Sequence, residues 1–207
     1  MRFLVQQRRL AGHGRPECQD QLTFLRSGGG FLLAVADGVG GVSGGLEAAS
    51  AVMNAADAAA AAGAPMQRGF GLQEQLFELD HALNATPDVG LTTAILIGSD
   101  GARLHGASVG DSRALLVSAH GWTDLTMHQR RSPKLGDGTA TPVAFAAGWG
   151  SETLLVGTDG LFGVLPDETI ATLARLPDIA EAAEQLVAAA RRRSIQDDLG
   201  LILLRKG

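Results

Sequence analysis

Five aspartates in this chain stand beside apolar runs long enough to be buried strands. Asp37 follows Phe31-Leu32-Leu33-Ala34-Val35-Ala36 and opens Asp37-Gly38-Val39-Gly40-Gly41. Asp111 lies in Gly110-Asp111-Ser112-Arg113, Asp159 in Thr158-Asp159-Gly160, Asp197 in Asp197-Asp198, and Asp20 ends Arg15-Pro16-Glu17-Cys18-Gln19-Asp20. A carboxylate at a strand exit can be aimed at an ion, and a glycine after it lets the backbone turn and offer a carbonyl as another hard oxygen ligand. One such turn carries little information, because Asp-Gly is among the commonest turn dipeptides and Asp37, Asp100, Asp137 and Asp159 all read as turn caps when taken singly. Their joint order beside strands points to a carboxylate-lined metal site, provided the strand ends meet at one edge.

The elements that must position these acids follow from pattern. Residues 3–9, 21–25 and 31–36 read as strands, with Ser27-Gly28-Gly29-Gly30 as a hairpin connection. Two helices follow: alanine-rich 46–62, stopped by Gly63 and Pro65, and 72–84, with Leu72, Leu76, Leu79 and Leu83 at helical spacing. Thr92–Ile97 with Ala102–Ser108, and Arg113–Ser118 with Trp122–Thr126, read as two hairpins. Residues 127–150 are polar and rich in Gly, Pro and Arg, with only Pro142–Ala147 strand-like. Glu152–Gly157, helices near 167–175 and 178–193, and Leu199–Leu204 complete the order. Short hairpins dominate it, which favours antiparallel sheets covered by helices over a parallel βαβ array.

The totals bound the class of protein. The chain has 207 residues, 45% of them hydrophobic and 19% charged, enough for one well-buried domain spanning 1–207. Its 22 acidic and 17 basic residues give a net charge of −5, without a nucleic-acid footprint. Arg8-Arg9, Arg130-Arg131 and Arg191-Arg192-Arg193 read as solvated faces. The single cysteine, Cys18, excludes an intrachain disulfide and a cysteine-based zinc site. No secretory h-region and no membrane span are legible, so a cytoplasmic protein is expected.

Taken in order, Arg15 to Asp20, Asp37-Gly38-Val39-Gly40-Gly41, Leu91-Thr92-Thr93, Val109-Gly110-Asp111-Ser112-Arg113-Ala114, Thr158-Asp159-Gly160 and Asp197-Asp198 resemble the successive signatures of the PPM family. These are metal-dependent type-2C serine/threonine protein phosphatases, and the bacterial branch is the nearest match. The resemblance implies an α+β, four-layer αββα sandwich of two antiparallel sheets flanked by pairs of helices. It implies that Asp37 bridges two Mn²⁺ or Mg²⁺ ions, that Gly38 gives its carbonyl to one, and that Asp159 and Asp197 complete the other. Asp20 would act through water, Asp111 would hold a third, looser ion that some bacterial members bind, and Arg15 would grip the substrate phosphate. The expected reaction is hydrolysis of phosphoserine and phosphothreonine by a metal-bridging water, on a phosphorylated protein opposed by a Ser/Thr kinase, by a monomer in bacterial signalling.

Departures from the pattern qualify this. Cys18 replaces the usual asparagine and reads as a packing residue. Val39 stands where eukaryotic members carry a histidine, and Asp198-Leu199-Gly200 replaces Asn-Ile-Thr. Residues 127–150 are a compressed substitute for the usual flap subdomain, with Arg130, Arg131 and Lys134 available to an acidic partner. Two alternatives therefore stand beside the enzyme: a pseudophosphatase that binds phosphoprotein or scaffolds a complex, and a hydrolase of small phosphate esters.

Overall fold

In the computed structural model, residues 2–27, 29–39, 44–62, 69–193 and 196–207 are described. Gly40, Gly41, Gly63 and Pro65 lie outside them. The elements are β1 (Phe3–Leu10), β2 (Asp20–Ser27), β3 (Gly30–Asp37), α1 (Gly45–Ala61), α2 (Gly69–Asn84), β4 (Ala94–Ser99), β5 (Arg103–Val109), β6 (Arg113–Val117) and β7 (Trp122–Asp124). They continue with β8 (Val143–Gly148), β9 (Thr153–Gly157), α3 (Asp159–Phe162), α4 (Asp167–Ala174), α5 (Ile179–Arg191) and β10 (Leu199–Lys206).

The strands form two antiparallel five-stranded sheets, ordered β1-β10-β9-β6-β7 and β2-β3-β4-β5-β8. The residues of β3 and β4 are all buried, because each strand has a helix layer on one side and the other sheet on its other side. This is why their sequences are unbroken apolar runs without an alternating polar face. Phe31, Leu33 and Val35 enter the core between the sheets with Ile95, Ile97, Leu154, Val156 and Ile202. The alternate residues Leu32, Ala34 and Ala36 pack beneath α1 and α2. On the other sheet, Leu155, Leu201 and Leu203 pack against α4 and α5. Three cores separate four layers, so the expected αββα sandwich is the observed architecture. Alanines 48, 49 and 56 give α1 a small-residue face that lies close on its sheet.

Local differences from the sequence reading have side-chain causes. β4 starts at Ala94 because Thr92 and Thr93 turn their hydroxyls to the β3 exit: Thr93 Oγ1 accepts from Asp37 N at 2.9 Å, and Thr92 Oγ1 donates to Asp37 O at 3.0 Å. β7 stops at Asp124, whose Oδ1 accepts from Thr126 N at 2.8 Å and from Thr126 Oγ1 at 2.7 Å. The one-turn helix α3 carries Asp159 and was not anticipated, since four residues are too few to show a helical period. α5 begins where expected, with Asp178 Oδ1 accepting from Ala180 N at 2.7 Å as an N-cap.

Candidate metal centre

The antiparallel ladders bring the acidic strand ends to one edge. Asp20 opens β2 directly opposite Asp37 at the end of β3. Asp111 sits in the turn between β5 and β6, Asp159 follows β9, and Asp197 precedes β10. Arg113 and Leu201 both flank Gly157, so these three ends are neighbours across the other sheet. Asp37, Asp111 and Asp159 each present an oxygen, and the three oxygens lie within 4.8 Å of one another.

The backbone around the centre is pinned by hydroxyls. Thr93 Oγ1 also lies 2.6 Å from Ser112 Oγ, joining the Asp37 strand end to the Asp111 turn. This gives the Leu91-Thr92-Thr93 and Gly110-Asp111-Ser112 signatures a common task. Thr158 Oγ1 donates to Asp20 Oδ2 at 2.8 Å and accepts from Gly200 N at 2.9 Å, joining the two sheets at the site. Two glycines are required by close approach. A Cβ on Gly38 would stand 2.4 Å from Gly45 O, and one on Gly160 would stand 1.8 Å from Asp198 O.

The carboxylates are placed against their own preference. Burial pushes Asp37 up to about 9, with Asp20 and Asp159 adding repulsion. Burial likewise raises Asp20 to about 7, against the lowering effect of its Thr158 hydrogen bond. Asp159 is raised by burial and then by Asp197 and Asp111. Asp20 Oδ1 and Asp159 Oδ1 are buried without a hydrogen-bond partner. Buried polar atoms are normally satisfied, and a hard divalent cation meets every one of these deficits. The donor set is oxygen only, which fits Mg²⁺ or Mn²⁺ better than zinc.

Asp197 stands outside the trio. Its side chain is about half exposed, and Oδ1 pairs with Arg15 Nη2 at 2.6 Å. The phosphate-gripping arginine and the outermost expected ligand therefore hold each other. Arg15 also lines an open cavity of about 540 Å³ with His13 and Arg191.

Three residues have roles that the sequence reading did not supply. Asp198 is an anchor: its buried carboxylate accepts from Gly12 N at 2.8 Å and Gln19 N at 2.6 Å, and Arg15 Nη1 lies 3.4 Å away. It thereby fixes the loop that carries Arg15. Asp80, fully buried on α2, accepts from Gly136 N at 2.8 Å, Gly138 N at 3.1 Å and Ala140 N at 3.0 Å. A charged residue on the same helical stripe as Leu76 and Leu83 was the available signal. Arg113 binds both oxygens of Asp167, at 2.7 and 2.8 Å, and Asp124 Oδ2, at 2.8 and 3.0 Å. It also lies 4.8 Å over the Phe162 ring. The arginine of the Asp-Ser-Arg signature is therefore a scaffold residue. Cys18 is buried, and burial pushes its thiol up to about 12, as suits a packing residue.

The sequence profile of the Stage II sporulation protein E (SpoIIE) family matches residues 27–207, and the chain belongs to that family. No curated protein matches it by sequence. Among solved structures it is similar to a bacterial serine phosphatase point variant, 21% identical over 100% of both chains, with a TM-score of 0.89. It is similar to the catalytic domain of PstP in complex with two manganese ions, 24% identical over 98% of this chain and 97% of that one, with a TM-score of 0.84. Stp1 from Staphylococcus aureus is 20% identical over 100% and 96%, with a TM-score of 0.86. At such identities the likeness shows the fold, which is that of the PPM phosphatases.

Proposed function

We propose that this chain is a divalent-metal-dependent protein serine/threonine phosphatase, with residues 1–207 forming one catalytic domain. The observation that carries the proposal is the edge where Asp20, Asp37 and Asp159 are buried without a counter-cation among themselves, with orphaned oxygens on Asp20 and Asp159. Family membership and the PPM fold support the same reading. Asp37, the Gly38 carbonyl, Asp159 and Asp197 would hold two Mg²⁺ or Mn²⁺ ions, with Asp20 acting through water. When bound, such a pair supplies a water acidic enough to attack phosphorus at neutral pH and charge to stabilise the transition state.

The chain's own residues do the rest. Arg15 presents a planar guanidinium suited to two phosphate oxygens, exchanging the Asp197 carboxylate for the substrate. Asp198 holds the Arg15 loop in register through Gly12 and Gln19. Thr92 and Thr93 fix the Asp37 backbone so that its carboxylate enters the centre already oriented. No cysteine nucleophile is needed, and Cys18 is held as a buried thiol.

The substrate class is a phosphorylated protein, the product of an opposing Ser/Thr kinase. No helix among the described residues is long and apolar enough to cross a membrane, and we assign the protein to the cytoplasm as a monomer in bacterial signalling. The test is Mn²⁺-dependent phosphate release from a phosphothreonine peptide, comparing the wild type with Asp37→Asn. Metal-dependent turnover that the variant abolishes is the expected result. Peptide binding without turnover under any divalent ion points to a pseudophosphatase. Turnover of p-nitrophenyl phosphate alone points to a small-ester hydrolase.

A further inference from the structure

One cation already sits inside the acid cluster. Lys134 Nζ is 3.1 Å from Asp111 Oδ1, and Arg131 Nε is 3.8 Å from Asp111 Oδ2. The two partners are not equivalent. The Arg131 side chain is 81% exposed, whereas Lys134 is 21% and Asp111 14% exposed. A solvated pair at the longer distance contributes little, so the lysine is the effective neighbour of Asp111.

The position of Lys134 is imposed by the fold. The next residue, Leu135, is fully buried and exchanges two backbone hydrogen bonds with Thr92, at 2.9 and 3.0 Å. Thr92 in turn donates its hydroxyl to the Asp37 carbonyl. One residue further on, Gly136 N is held by the buried carboxylate of Asp80. Lys134 is thus tied, through one neighbour on its C-terminal side, to the strand end that bears Asp37 and to the helix behind it. Its charge also reaches Asp37 and Asp159, where it opposes the upward push of burial.

We propose that Lys134 is a built-in cation of this centre: it holds Asp111 in an ion pair, withholds that carboxylate from divalent ions, and limits the site to the ions held around Asp37 and Asp159. An ammonium is a compact point charge that can stand beside a carboxylate as an ion would. A further divalent ion at Asp111 would have to displace it, or sit within a few ångströms of its positive charge. The third ion that the resemblance attaches to Asp111 is replaced by a side chain. The proposal rests on the metal-centre reading above and specifies its stoichiometry.

The measurement is Mn²⁺ bound per chain, by equilibrium dialysis with metal analysis, on the full-length wild type, Lys134→Met, Lys134→Arg and Lys134→Met/Asp111→Asn. The wild type is expected to bind two ions, and Lys134→Met a third at least about tenfold tighter than any third site in the wild type. Lys134→Arg, which keeps the charge, stays at two, and the double variant returns to two. Retention of the first two sites shows that each variant is folded, and Lys134→Ala repeats the test without the aliphatic stem. Three ions of similar affinity in the wild type, or no gain in either neutral variant, overturns the proposal while leaving the metal centre intact. Absence of any Mn²⁺ binding that Asp37→Asn removes overturns both.

Discussion

Two groups of acids lie on either side of the β5–β6 turn. In one, Asp20, Asp37 and Asp159 face one another, and burial with mutual repulsion raises all three. In the other, Asp124 and Asp167 face Arg113, whose hydrogen bonds hold Asp167 below the usual carboxylate range. Asp111 and Arg113 are two residues apart in sequence, and their side chains serve opposite groups. The paired acids make a scaffold that joins β6, β7 and the start of α4. The unpaired acids carry a deficit that a bound cation can meet. Carboxylates at similar depth in one small region therefore differ in task according to whether the fold supplies the counter-charge.

Variants on each side should fail in different ways. The largest effect is expected from Asp159→Asn, with Mn²⁺-dependent phosphate release falling on the order of 10³-fold. The same variant should melt higher than the wild type in EDTA, because it removes a buried acid with an orphaned oxygen. Lower metal-free stability would mean that the acid cluster is part of the scaffold. Arg113→Ala is the converse case. It strands Asp124 and Asp167, and urea denaturation should show a loss of about 2–3 kcal/mol, discounted for the partial exposure of all three side chains. Mn²⁺ stoichiometry should not change.

A smaller effect is expected where the two groups are joined. Thr93→Val removes the bonds to Asp37 N and Ser112 Oγ at nearly constant volume. About 1–2 kcal/mol should be lost by urea denaturation, with a weaker Mn²⁺ affinity that Arg113→Ala does not produce.

The smallest effect is a pH slope with opposite signs in the two groups. Without metal, Asp37 keeps its proton in the fold up to about 9, whereas its ordinary value is 3.8. Between those values the folded state binds more protons than the unfolded chain, so stability falls as pH rises. Asp167, lowered by Arg113, contributes stability above its ordinary value and loses it as pH falls through the depressed one. Melting temperature in EDTA should therefore decline from pH 5 to 8, by about 2–4 °C for each kcal/mol, and saturating Mn²⁺ should flatten the decline. A rise over that range in EDTA would show that the buried acids are already compensated.

The legibility of the site in the sequence was uneven. Asp37, Asp111 and Asp159 were visible because each stands where an apolar run ends, and the ladders then bring those ends together. The Asp-Gly dipeptide alone did not separate the cases. Asp100 is an ordinary turn residue, its Oδ1 accepting from Ala102 N and Arg103 N, and Asp137 bonds only locally to Thr139. Asp80 and Asp198 were illegible as anchors because their partners are backbone amides 56 to 60 and 179 to 186 residues away. A backbone donor leaves no mark on residue type.

By itself the sequence determined the layers and the carboxylate edge. Continuous apolar runs require strands buried on both faces, and acids at their exits require a common rim once the strands pair. Only the tertiary structure decided which charges are compensated. Asp197 meets Arg15, Asp198 meets the loop amides, Asp111 meets Lys134 and Asp167 meets Arg113, all through long-range approach. Local patterning sets which residues are buried, but electrostatic compensation depends on distances of a few ångströms between segments far apart in the chain.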